Sequence, residues 1–116
     1  AGMGQVISMS DSGLDTDNCY FWDSSPGEMK DGTVQSSRRK VIQYFPHKDT
    51  VDVSMHGTHV AGTIAGKRSV DGIEDQVGYA DGIAKDAKLA FFDIGLGSDC
   101  CFPPNPDVLF STGYSA

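Results

Sequence analysis

The sequence predicts an α/β fold in which a parallel sheet is flanked by helices. Strand-length apolar runs stand at 6–10, 41–45 and 89–94, and helical patterns begin at 56 and near 108. Their mostly β-α alternation implies parallel strands joined by right-handed crossovers. The third strand, Leu89-Ala-Phe-Phe-Asp-Ile94, is almost continuously apolar. That pattern suits a parallel strand covered on both faces.

Taken in order, Val6, Ile7 and Met9 form a short strand that runs into Asp11-Ser12-Gly13, which reads as a turn. Residues 16–40 read as surface: an aromatic stretch at Tyr20-Phe-Trp22, turn chemistry at Asp23-Ser-Ser-Pro-Gly27 and a hairpin-like turn at Lys30-Asp-Gly-Thr33. Ser36-Ser-Arg-Arg-Lys40 reads as a solvated charged stretch or polar edge. Val41-Ile-Gln-Tyr-Phe45 is rich in β-branched and aromatic residues and is a strand that Pro46 ends. A polar loop, His47 to Asp52, leads to a helix with Ser54 as its N-cap and His56 in its first turn. Gly57 and Gly62 each cost about 1 kcal/mol inside a helix, which points to close backbone approach there. Lys67 to Gln76 reads as a charged loop, Leu96 to Pro106 as a loop broken by prolines, and Pro106-Asp107 opens a last helix.

Composition narrows the function. At 116 residues the chain is at most one domain, and a net charge of -7 argues against nucleic acid or an anionic membrane as partner. No apolar run approaches the ~20 residues that span a bilayer. Of Cys19, Cys100 and Cys101, the adjacent pair is not expected to bridge, because its short ring is strained. Either one of them pairs with Cys19 or all three are free, and an oxidising compartment is allowed.

Two short stretches carry chemistry. Asp11 stands just past a strand end, where a carboxylate is held rigidly. His56 stands at the start of a glycine-flanked helix in Val53-Ser-Met-His-Gly-Thr-His-Val-Ala-Gly62. A carboxylate that orients an imidazole, and an imidazole that deprotonates a hydroxyl, are two thirds of a catalytic triad.

Ser10-Asp-Ser-Gly-Leu-Asp15, followed by His56-Gly-Thr-His-Val-Ala-Gly62, resembles the first two signature blocks of the subtilisin-like serine proteases. The resemblance implies a subtilisin-like three-layer architecture and a serine endopeptidase. In it Asp11 matches the triad acid, His56 the triad base and His59 a structural histidine. The loop Leu96-Gly-Ser98 then borders the substrate groove. The family's Gly-Thr-Ser-Met-Ala-type nucleophile block does not occur in these 116 residues, nor does the segment bearing the oxyanion-stabilising asparagine. The expectation is therefore the N-terminal portion of a catalytic domain, inactive alone, that works with the remainder of the domain on a protein or peptide substrate. No cofactor is expected for catalysis. The family's loops allow structural calcium, and the setting is expected to be secreted or lumenal, with no membrane contact from this segment.

Other readings compete with this one. Residues His47, Asp49, Asp52, His56 and His59 could group around a metal, although the i,i+3 spacing of His56 and His59 is less typical than i,i+4. Gly113-Tyr-Ser-Ala116 is most of a hydrolase nucleophile elbow, but it lacks a clear preceding strand. A subtilase-derived scaffold or interaction subunit without catalysis is the alternative function.

Overall fold

A computed structural model describes residues 1–24, 30–102 and 104–114, with the side chains of residues 109 and 112–114 excepted. The turn expected at 23–27 and the serine of the elbow, Ser115, fall largely or wholly outside the described residues. Three six-residue strands, β1 (Val6–Asp11), β2 (Val41–Pro46) and β3 (Lys88–Asp93), form a parallel sheet in the order β1-β3-β2. Helix α1 (His56–Ala65) lies between β2 and β3 in the chain, and α2 (Pro106–Tyr114) follows β3. The central strand is the apolar one. Leu89 to Asp93 are all buried, since both strand neighbours and both faces are covered.

Strand parity decides which residues meet α1. Leu89 and Phe91 of β3 join Tyr44, Leu14, Phe21 and the small α1 residues Ala61 and Ala65 in one cluster, against which Ile7 and Met9 of β1 pack. Phe92 faces the other way and meets Phe45, with ring centroids 4.6 Å apart. Because Ile7 and Met9 point toward α1, Asp11, two residues further on, points there too. The α1 stripe is narrow because its residues are small, and this lets the helix sit close to the sheet.

Gly57 meets the expectation of close backbone approach. A Cβ there would collide with the Gly13 carbonyl oxygen and lie 3.1 Å from the Asp11 Cβ. Gly62 differs, since a Cβ at that position would only touch the Phe21 ring at 3.9 Å. The intimate contact near Gly62 comes from its carbonyl, against which Gly82 packs.

Several surface readings are corrected. Phe21 is buried in the core rather than on the surface. Arg38 and Lys40 are buried as well, because backbone carbonyls receive the charge of Lys40: its Nζ donates to the Lys85 and Ala87 oxygens. Burial pushes the Lys40 ammonium down to about 8. The half-buried Arg39 donates to the Trp22 and Lys67 carbonyls. The expected loop at 67–76 contains a two-residue antiparallel hairpin, Ser69–Val70 with Ile73–Glu74, turned by Asp71-Gly72 at φ 51 and 81. An Asp-Gly pair between apolar residues is a strong signal for such a turn. Its carboxylates are held by cations: Glu74 by Lys67 at 2.7 Å and Asp75 by Arg68 at 2.8 Å. Cys19 is free and exposed, so neither of the adjacent cysteines pairs with it.

The two helix glycines should respond oppositely to alanine. We expect Gly57→Ala to destabilise the domain by about 1–3 kcal/mol through overpacking. Gly62→Ala should be neutral or stabilise it by up to ~1 kcal/mol through helix propensity. Thermal unfolding midpoints of the two variants check this.

Candidate active site

Asp11 is the last residue of β1 and His56 the first of α1, so strand end and helix start meet at the carboxyl edge of the sheet. Asp11 Oδ1 lies 2.7 Å from His56 Nδ1. A carboxylate only accepts at this distance, so Nδ1 carries the ring proton. Nε2 then holds the lone pair of the neutral imidazole. The Asp11 side chain is mostly covered (13% exposed), whereas that of His56 is open to solvent at 68%. The hydrogen bond to Asp11 and the charge of Asp11 raise the His56 pKa above its ordinary 6.5, with a smaller contribution from the charge of Asp52. The same oxygen accepts a second bond: Ser12 N–H donates to Asp11 Oδ1 at 2.7 Å.

The start of α1 is built differently from the sequence expectation. The N-cap is Met55, in the left-handed region at φ 60, and its side chain caps nothing. For a non-glycine residue this conformation costs about 1–2 kcal/mol. Ser54 contributes one bond from outside the helix, its Oγ accepting the His56 N–H at 3.3 Å. The next two N–H groups go to residues that sequence reasoning did not place at the helix start: Gly57 N–H donates to Ser12 Oγ at 3.0 Å and Thr58 N–H to Asp52 Oδ2 at 2.8 Å. Asp52 also accepts the hydroxyls of Ser12 at 2.8 Å and Thr58 at 2.6 Å. Burial pushes the Asp52 carboxyl up, but the bonds from Thr58, Ser12 and Ser54 outweigh it and the net direction is down. Thr58 Oγ1 in turn accepts the Asp15 N–H at 2.9 Å, closing the network onto the turn after β1. The available signal was the motif itself, whose Ser12 and Thr58 offer short hydroxyls at two turns of backbone.

The other predicted residues sit as follows. Leu96, Gly97 and Ser98 lie in a tight turn after β3, closed by reciprocal Leu96–Asp99 backbone bonds of 2.9 and 3.0 Å. Gly97 N–H donates to Asp49 Oδ2 at 2.6 Å. This turn stands near the acid, since Ile94 N–H bonds the Asp11 carbonyl at 2.9 Å and Gly95 packs on the Ser12 backbone. A cleft of about 460 Å³ runs along α1 instead, lined by Met55, Thr58, His59, Gly62, Thr63, Asn18, Tyr20, Phe21 and Ala80. His59 is exposed in this cleft rather than buried. The five residues of the metal reading are not brought together: Asp49 bonds Gly97 and Val51, Asp52 caps α1 and the His47 ring lies near Phe92. Among the described residues no three His, Cys, Asp or Glu side chains group to hold a metal.

Residues 2–102 match the Subtilase family, peptidase S8. This chain belongs to the subtilase family. Its parallel sheet and central helix are a portion of that α/β fold. Similar proteins include three from Dictyostelium discoideum. The serine protease/ABC transporter B family protein tagB is 38% identical over 104 residues, 89% of this chain and 5% of the relative. The corresponding tagD protein is 38% identical over 116 residues, 98% of this chain and 6% of the relative. The tagA protein is 35% identical over 99 residues, 84% of this chain and 5% of the relative. The chain thus spans about a twentieth of the length of the curated relatives it matches. No helix among the described residues is long and apolar enough to cross a membrane.

The raised His56 pKa has a defined sign. The folded state binds the proton more tightly than the unfolded chain, so the pairing with Asp11 contributes stability fully below the ordinary histidine pKa. That contribution is lost as pH rises through the higher folded value. Replacing Asp11 by Asn should lower the His56 pKa, and NMR titration of the imidazole ring in both forms measures it. An unchanged pKa would contradict the assigned pairing.

Proposed function

We propose that this chain supplies the acid and the base of an Asp-His-Ser serine endopeptidase. The serine and the oxyanion donors would come from polypeptide outside these 116 residues. The observation that carries the reading is the 2.7 Å Asp11–His56 pair, with its second ring nitrogen left open. His56 Nε2 takes the proton of the serine hydroxyl as its oxygen attacks the scissile carbonyl carbon, and later gives that proton to the leaving amine. Water then cleaves the acyl-enzyme by the same proton path in reverse. Asp11 stays ionised throughout, holding the ring and stabilising the imidazolium. The substrate is a protein or peptide, the turn Leu96-Gly97-Ser98 borders its groove, and no cofactor enters the chemistry. Structural calcium in the surface loops and a secreted or lumenal setting belong to the same proposal. Family membership supports it at the level of serine protease chemistry.

A second reading, a subtilase-derived scaffold without catalysis, draws on the exposed apolar side chains of Val77, Tyr79 and Ile83, each at least 73% accessible. Such residues suit a surface that packs against something else.

One experiment separates the two. The full-length polypeptide carrying this sequence should react with a fluorophosphonate probe, and His56→Ala should slow labelling and peptide hydrolysis on the order of 10³-fold or more. A folded full-length protein that takes no label would establish the scaffold reading. The 116 residues alone should cleave no peptide, because the family's nucleophile block does not occur in their sequence. Hydrolysis by that isolated chain, abolished by His56→Ala, would refute this.

A further inference from the structure

We propose that Asp52 is a positioning residue for the Asp11–His56 pair, acting through Ser12 on one side and Thr58 on the other. The inference rests on the reading of that pair as a protease acid and base.

Asp52 is 9% exposed and each of its oxygens serves a different element. Oδ1 takes the Ser12 hydroxyl, from the turn that directly follows the acid, at 2.8 Å. Oδ2 takes both the N–H and the hydroxyl of Thr58, in the first turn of the helix that begins with the base, at 2.8 and 2.6 Å. Ser12 N–H bonds the Asp11 carboxylate and Ser12 Oγ accepts the Gly57 N–H, so the Ser12 arm ends on the acid and on the residue that follows the base. Thr58 Oγ1 accepts the Asp15 N–H, so the Thr58 arm returns to the same turn. One carboxylate thereby ties the strand end to the helix start.

An ordinary helix cap would not require this. The N-cap position belongs to Met55, three residues later, and a cap need reach only the helix it starts. Asp52 reaches Ser12, 40 residues away in sequence, with its other oxygen. Every hydrogen bond it accepts comes from a neutral donor. A paired cation would have offset its burial more simply, but would have weakened the negative field near the imidazole. Neutral donors hold the carboxylate in place and leave its charge acting on His56.

Ser12 shows why a substitution must break the arrangement. Its hydroxyl donates to Asp52 and accepts from Gly57 N–H and from the Ser54 hydroxyl at 2.9 Å. Its donor and acceptor capacity is thus already used. In Asp52→Asn the new amide faces either this hydroxyl, whose bonds to Asp52 and Ser54 must then rearrange, or the Thr58 N–H, where donor meets donor.

The test uses the full-length polypeptide and reads kcat, KM, the rate of fluorophosphonate labelling and thermal stability for Asp52→Asn, Thr58→Val and Thr58→Ser. We expect Asp52→Asn and Thr58→Val to lower kcat and the labelling rate together by about 10- to 100-fold, the scale of a misplaced catalytic group, with KM little changed. Thr58→Ser, which keeps the hydroxyl, should restore most of both rates. If Asp52→Asn does not fold, the near-isosteric Thr58→Val and its serine counterpart decide. Folded variants of lowered stability but wild-type kcat and labelling rate would overturn the proposal, leaving Asp52 a structural cap. Persistent labelling of His56→Ala would instead overturn the protease reading beneath it.

Discussion

The approach of α1 to the turn after β1 is limited by a backbone contact with no room for a methyl group. Gly57 lies against the Gly13 carbonyl, and Gly13, at φ +133, itself packs on the backbone of Val51 and Asp52. The turn after β1, the loop before α1 and the helix start therefore share one point of closest approach. Everything else at this edge follows from that distance. Asp11 can reach Nδ1 only because the helix start is this near. The small buried residues Ala61 and Ala65 keep the rest of the helix equally close to the sheet. A larger residue at any of these positions would lift the helix and lengthen a charge-assisted bond whose strength falls steeply with geometry.

The same edge concentrates negative charge. Asp11 is matched across the sheet by Asp93, which is fully buried. Burial pushes the Asp93 carboxyl up, and bonds from the Tyr44 hydroxyl and the Gly95 N–H only partly offset that. Asp52 is held down by several short bonds despite burial. Among the described residues, Lys67, Arg39 and Arg68 tie the 69–75 hairpin and Lys40 ties the approach to β3, whereas Lys30 stands over the Tyr44 ring and donates to the Thr50 carbonyl. The charges of Asp11 and Asp52 keep the field at His56 negative, which favours an imidazolium.

Much of this was legible from the residues, and the failures have common causes. The three main strands and both helices were visible to within a residue or two, because their apolar runs are bounded by Gly, Pro and short polar residues. Asp11 and His56 stood out because residue type and position agreed: an acid at a strand end, an imidazole at a helix start. What escaped depends on partners distant in sequence. Lys40 looks solvated until the Lys85 and Ala87 carbonyls are placed around it, and Phe21 looks like a surface aromatic until Leu14 and Ala61 close on it. Ser54 was the expected cap on local grounds, yet the decisive bonds come from Ser12 and Asp52. Only the 69–74 hairpin was missed despite a local signal, its Asp-Gly turn being overlooked among charges.

Local and distant constraints meet in the division of labour at the candidate site. The pair is assembled inside one compact α/β unit from residues 45 apart in sequence, and its order depends on hydrogen bonds made within that unit. An incoming nucleophile would then need only to reach an exposed ring nitrogen whose orientation is already set. Preorganisation of this kind lowers the entropic cost of the reacting geometry before substrate or serine arrives. It also explains why strain is tolerated at Met55: the left-handed turn there is what aims His56 back across the sheet edge. Binding energy from the buried network offsets that local cost, and the two are spatially inseparable.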